Sequence, residues 1–177
     1  TVLGGSSPSE VVRDSMEDAN GSYVEMRELL EKSGEFIANL VGTEAAYVTA
    51  GGAAAMALST AACMVGSDPD KMLQLPDTTG LKNEILIQQK QRYSYDRVYT
   101  FAGADLVTVG DDDGCTAEQL EAAINPNTAA IAYFVQPDWD DSVVSLEETV
   151  KIAHAHDVKV IADAASQIYP LDYMLNN

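Results

Sequence analysis

Apolar positions along the chain follow two rhythms, one near helical spacing and one of short unbroken runs. From Tyr23 to Val41, Met26, Leu29, Leu30, Ile37, Leu40 and Val41 recur near the helical period, and Gly42 marks a stop. Upstream, Ser7-Pro8 followed by Glu10 reads as a cap with proline at the first helical position, opening a helix that ends near Asn20-Gly21. Ala45–Thr49 is a short apolar run that predicts a strand and breaks into Ala50-Gly51-Gly52, where a small-residue helix begins and continues to about Val65. Lys71–Leu75 predicts a strand, Asp77–Gly80 a loop, and Glu84–Gln89 and Tyr95–Phe101 two helical pieces. Gly103-Ala104 leads into a strand over Asp105–Val109. Thr116 caps a helix through Ile124, and Thr128–Val135 predicts a buried strand. Ser145, with Glu148 at the capping-box position, opens a helix to about His156. Val158–Ala162 is a further buried strand, ending at Asp163.

Strands alternating with helices over short connections predict right-handed crossovers and a mainly parallel sheet covered on both faces, an α/β three-layer αβα sandwich. In such sheets ligands bind beyond the carboxyl ends of the strands. That rule selects Thr49–Ala53 and Asp163–Gln167.

Length and charge narrow the function classes. The 177 residues suit one domain with a substantial core. Twenty-eight acidic residues face 10 basic ones, a net charge of -18, which repels nucleic acid and anionic membranes at long range. An acid-rich, lysine-poor surface also suits concentrated salt, where self-repulsion is screened; full structure retained without salt would count against that reading. No apolar stretch reaches the length of a membrane span, and no basic segment precedes an apolar one at the start. Two cysteines, Cys63 and Cys115, match neither a disulfide framework nor a metal spacing, so a cytoplasmic setting is expected. His154 and His156 point apart on a helix, and Asp111–Gly114 lacks the alternating ligands of a calcium loop; both read as ordinary solvated features.

The chemistry rests on the two selected places. A glycine pair opening a helix lets backbone approach a ligand, and free N–H groups there favour an anion. The Gly51-Gly52 segment is neither a Walker loop nor a dinucleotide fingerprint, and a glycine pair before an alanine-rich helix is more often a packing device. Asp163 closes an apolar strand and precedes the small residues Ala164-Ala165-Ser166, leaving room for a flat ligand; the competing role is a helix cap or a structural carboxylate.

Taken together, the motifs are similar to those of pyridoxal-phosphate (PLP) enzymes of fold type I, the aspartate-aminotransferase superfamily. The order GADLVTVG, an acidic turn, TAEQLEAAI, NTAAIAY and VKVIADAA covers Gly103–Ala165. Thr1–Ser7 (TVLGGSS), Ala45–Ala55 (AAYVTAGGAAA), Leu75–Glu84 (LPDTTGLKNE) and Asp163–Pro170 (DAASQIYP) resemble its selenocysteine-synthase-like branch more narrowly. That branch includes the seryl-tRNA selenium transferases and the ammonia-lyases of phosphorylated amino-sugar acids.

The resemblance implies a PLP-binding large domain with an N-terminal arm over about 1–40 and the sheet and helices over about 41–177. Asp163 would pair with the protonated pyridine nitrogen of PLP, which keeps the ring able to absorb electrons. Ala165 would pack under the ring, and Ser166 or Gln167 would reach the ring hydroxyl or phosphate. Gly51, Gly52 and Ala53 would offer N–H groups to the phosphate, with Thr49 nearby. Gln91 falls where relatives place a ring-stacking aromatic or histidine. The family's Schiff-base lysine follows the aspartate by some tens of residues, whereas Lys32, Lys71, Lys82, Lys90, Lys151 and Lys159 all precede Asp163. The resemblance therefore places the lysine strand and the small C-terminal domain outside these residues.

Two functions follow as expectations. The first is a PLP-dependent lyase or transferase acting by elimination on an amino-acid or amino-sugar-acid substrate, as a homodimer or larger homo-oligomer. The second is a scaffold or assembly subunit on the same fold without catalysis.

Overall fold

The computed structural model describes residues 7–136 and 139–165, in two compact units that divide between Val48 and Thr49. The first unit holds helices α1 (Glu10–Asn20) and α2 (Met26–Val41). The Glu25 side chain caps α2 by accepting from the Glu28 N–H, and Gly42 ends it in the left-handed region at φ 73°. Within this unit α2 buries only Gly34 and Ala38. Gly34 answers to close approach: a Cβ there would lie 2.4 Å from the Ala46 carbonyl oxygen. α1 buries nothing, and Val11, Val12 and Met16 stand exposed on it.

The second unit carries helices α3 (Gly52–Val65), α4 (Pro69–Gln74), α5 (Ala117–Ala123) and α6 (Leu146–Ala155), and strands β1 (Glu84–Gln88), β2 (Asp105–Val109), β3 (Thr128–Phe134) and β4 (Lys159–Asp163). The four strands form one parallel sheet in the order β2-β1-β3-β4. Alternation within each strand divides the core in two. Ile85, Ile87, Ala130, Ala132 and Ile161 face Met56, Met64 and Val65 of α3 together with Tyr99. Leu86, Val109, Ile131 and Val158 face Leu120 of α5 and Ile152 and Ala153 of α6. Each fully buried Ile or Leu contributes about 1.5–3 kcal/mol, so the two central strands are the most strongly held part of the sheet. The expected three-layer α/β arrangement is thus present, with α3 on one face and α5 and α6 on the other.

Several local expectations fail for identifiable reasons. Glu84–Gln88 is not helical but the strand between β2 and β3, because a short run buried on both faces carries no period to distinguish the two states. Lys71–Leu75 is no strand: Asp68 accepts from the N–H groups of Asp70 and Lys71, and Pro69 takes the first helical position of α4. Tyr95–Phe101 reduces to a 3-10 segment over Asp96–Thr100. Ala45–Thr49 forms no strand. Thr116 does form a full capping box with Gln119, and the Ser145 hydroxyl accepts from the Glu148 N–H.

Candidate functional site

All four strands point the same way, so Gln88, Val109, Phe134 and Asp163 end at one edge of the sheet. Gln88 is fully buried, and its amide donates to the Val144 carbonyl at 3.1 Å and accepts from the Val144 N–H at 2.8 Å. This two-way bond ties the segment after β3 to the end of β1. Lys90 donates to the Ser142 hydroxyl at 2.7 Å, reinforcing the same tie.

The chain leaving β1 turns through a 3-10 segment at Gln89–Gln91 and presents Tyr93 to this edge. Asp96 holds the turn: its carboxylate accepts from the Tyr93 N–H at 3.2 Å and pairs with the Arg92 guanidinium. The Tyr93 ring stacks on Phe134 with centroids 4.3 Å apart and planes 4° from parallel. Trp139 meets Phe134 edge-on at 6.5 Å and donates its indole N–H to the Phe134 carbonyl at 2.8 Å. The Tyr93 hydroxyl donates to Oδ2 of Asp163 at 2.5 Å and lies 3.7 Å from the Met56 sulfur. Because Met56 sits one turn into α3, this hydroxyl links the carboxyl end of β4 to the opening of α3.

Asp163 is half-buried at the last position of β4. Its Oδ1 accepts from the Ala165 N–H at 3.0 Å, and its carbonyl accepts from the Val135 N–H at 2.9 Å. Burial, and then the bond to Asp163, push the Tyr93 phenol well above its ordinary range. Tyr99, fully buried, is pushed up to about 12, chiefly by burial.

At the other place, the Thr49 hydroxyl donates to the Gly51 carbonyl at 3.0 Å and accepts from the Gly51 N–H at 3.4 Å. Gly51 holds φ 140°, a conformation L side chains rarely adopt. Among the described residues no side chain caps α3; Gly51, Gly52 and Ala53 are exposed, and a Cβ on either glycine would meet nothing within 4 Å. An uncapped, exposed helix opening of this kind is suited to an anion.

Asp163 is linked through Tyr93 to Met56 of α3, one turn beyond Gly51-Gly52-Ala53. Gln91 does not stand free as a stacking side chain: it is fully buried, and its amide donates to the Phe134 carbonyl at 3.4 Å. Ala165 is exposed. Ser166 and Gln167 lie outside the described residues. Lys159 opens β4, at the far end of the strand from Asp163. Sequence reasoning missed Tyr93, Phe134 and Met56. Tyr93 follows a stretch expected to be helical, so nothing marked it as sitting at a strand's carboxyl end.

No protein-family profile matches the chain. The chain is 31% identical over 172 residues to D-glucosaminate-6-phosphate ammonia lyase of Salmonella typhimurium, covering 94% of this chain and 47% of that protein. It is 33% identical over 174 residues to 5'-C-glycyluridine monooxygenase-decarboxylase of a Streptomyces species, covering 94% and 44% respectively. It therefore spans about half the length of the curated relatives it matches. A solved D-glucosaminate-6-phosphate ammonia-lyase superposes with a TM-score of 0.89 at 30% identity, over 94% of this chain and 47% of the other. GDP-4-keto-6-deoxymannose-3-dehydratase shares the fold at a TM-score of 0.54 and 18% identity, over 84% of this chain and 36% of that one. With its parallel sheet and these similarities over about half the relatives' length, the chain carries the large-domain fold of the fold type I pyridoxal-phosphate enzymes.

Proposed function

We propose that this chain forms the PLP seat of a lyase or transferase that acts on an amino-acid or amino-sugar-acid substrate by elimination. One observation carries the reading: a strand-end carboxylate, Asp163, is joined through the Tyr93 hydroxyl to Met56, one turn beyond the opening of α3, and among the described residues no side chain caps that opening. The residues present fit the cofactor's two charged ends. The open turn at Gly51, Gly52 and Ala53, with Thr49 fixing its backbone, suits a phosphate. Asp163 suits a protonated ring nitrogen, because a carboxylate offers about four lone-pair positions and the structure shows two in use. The bound cofactor supplies an electron-withdrawing ring that takes up the electron pair released beside a substrate amine. The chain's own residues bind and orient: the helix opening holds the phosphate, and Asp163 holds the proton on the ring nitrogen.

The relatives point to the substrate class. One is named for ammonia loss from a phosphorylated amino-sugar acid and the other for decarboxylation of a glycyl-nucleoside. Loss of ammonia from an amino-sugar acid is the first reaction to assay. A homodimer or larger assembly is part of the proposal, supported by the exposed Val11, Val12 and Met16 on α1 and Leu29, Phe36 and Leu40 on α2. A reducing, cytoplasmic setting accords with two unpaired cysteines, Cys63 and Cys115. Among the described residues no helix is long and apolar enough to cross a membrane.

The deciding experiment adds PLP to the native protein, follows the visible band and its removal by borohydride, and then assays ammonia release. PLP uptake that Asp163→Ala weakens supports the seat. Failure of the wild type to take up PLP at all removes the enzymatic reading and leaves a scaffold built on the same fold.

A further inference from the structure

Tyr93 would touch neither the ring nor the phosphate in the seat just described, yet it is held at this edge from several sides. Its backbone N–H is held by Asp96, its ring lies flat on Phe134, and its hydroxyl meets both Asp163 and the Met56 sulfur. Asp163 is half-buried, so without a partner its carboxylate would be free to turn towards water. Two bonds prevent this: Ala165 fixes Oδ1 and Tyr93 fixes Oδ2. The first comes from a neighbour in sequence. The second comes from another element, 70 residues away along the chain.

We propose that Tyr93 is a positioning residue: its hydroxyl sets the plane of the Asp163 carboxylate so that the remaining lone pairs point at the cationic N–H of a bound aromatic ring. The proposal rests on the reading of Asp163 given above. Its physical basis is preorganisation: a carboxylate already aimed at its partner loses no rotational freedom when the partner arrives. The stack on Phe134 is part of the device, because it removes the freedom of the phenol itself. Burial of the hydroxyl keeps it a donor at any pH the protein meets, consistent with the upward displacement of its titration.

The test compares two probes on the native protein: PLP, and its carbocyclic analogue with C–H in place of the ring nitrogen. Both carry the phosphate, but only PLP can use Asp163. Tyr93→Phe keeps the ring and its stack, so folding is preserved, and thermal unfolding checks this. The variant is expected to weaken PLP about tenfold, the size of one hydrogen bond to a charged group, and to leave the analogue almost unchanged. Phe134→Leu, which frees the phenol, is expected to shift the ratio of the two affinities in the same direction. Equal weakening of both probes would mean a merely structural role and overturn the proposal. Tighter PLP binding by Tyr93→Phe would overturn it too, since the phenol would then compete with the ring for Asp163. Asp163→Asn separates this from the parent reading. If Asp163→Asn weakens PLP no more than the analogue, the assignment of Asp163 falls; if it weakens PLP selectively and Tyr93→Phe does not, only the role of Tyr93 falls.

Discussion

The two ends of the candidate site are built on opposite principles. At the end of β4, Asp163 is a charged side chain whose oxygens are already engaged by Tyr93 and Ala165. At the opening of α3 there is no charged side chain on Thr49–Ala53, and among the described residues no side chain caps the first turn. One end is aimed before its ligand arrives; the other waits, with its geometry stored in the backbone. The difference teaches where each end is fragile. A side-chain site is lost by changing one functional group, whereas a backbone site is lost by changing a conformation.

The sharpest way to break the comparison is therefore at Gly51. Its φ of 140° costs an alanine about 1–3 kcal/mol. Relieving that strain redirects the N–H groups of the α3 opening, so Gly51→Ala is expected to lower both the unfolding temperature and phosphate affinity. Two or three charge-assisted bonds lost together would weaken a phosphate ligand about a hundredfold or more. Gly52→Ala is the counterpart. Gly52 is already helical in open space, so alanine there is expected to stabilise the fold by up to about 1 kcal/mol. Equal destabilisation by the two substitutions, read by thermal unfolding, would show that φ at Gly51 is not what matters.

At the other end the expected effect is smaller and purely chemical. Asp163→Asn keeps the shape of the side chain and an oxygen to accept from Ala165, turns the Tyr93 contact into one where the amide N–H donates to the phenol oxygen, and removes the charge. A cationic ring loses about 1.5–3 kcal/mol of charge-assisted bonding, roughly tenfold to a hundredfold in affinity, with little change in fold stability. Calorimetric binding of PLP, paired with a thermal melt, reads both quantities. A large drop in stability would make Asp163 structural first.

Alkaline pH offers a third separation, because the phenols of Tyr93 and Tyr99, both pushed upwards, lie at the Asp163 end. Tyr99 is fully buried and its phenol is pushed from 10.0 up to about 12. A raised value means the folded state prefers the protonated form, so this contribution is complete below about pH 10 and is lost as pH climbs towards 12. Each unit costs about 1.4 kcal/mol, so on the order of 2–3 kcal/mol disappears across that window. Denaturant melts at a series of alkaline pH values should show this slope, and Tyr99→Phe should reduce it while the raised Tyr93 phenol keeps part of it. An unchanged slope in the variant would place the sensitivity elsewhere.

The same contrast explains what could be read from the amino acids. Strands β2, β3 and β4 were legible because apolar runs such as Thr128–Phe134 sit between unambiguous caps, Thr116 and Ser145. β1 was not, because Glu84–Gln88 is short, buried on its sheet faces, and ends in glutamines that suit a helix equally well. Its misreading hid Tyr93, whose importance comes entirely from which strand it follows. The glycine pair and Asp163 were visible as local signals, since each needs a specific residue type where chain direction changes. Gln88 could not be recognised, because an amide bonding Val144 across 56 residues leaves no local mark.

Salt gives the finest discrimination between the ends. The net charge of -18 repels any anion and attracts any cation from afar. Raising ionic strength from about 0.01 M to 0.15 M shortens the screening length from roughly 30 Å to 8 Å, which removes most of that distant field. Contacts made within hydrogen-bonding distance are screened far less. Inorganic phosphate, bound by backbone N–H groups at α3, should then bind a few-fold more tightly as salt rises, the reverse of a site built on Lys and Arg. An N-methylpyridinium probe at Asp163 should bind more weakly over the same range. Phosphate affinity that falls with salt would point to a basic side chain contributing at that end, and would place its anion site somewhere other than the bare opening of α3.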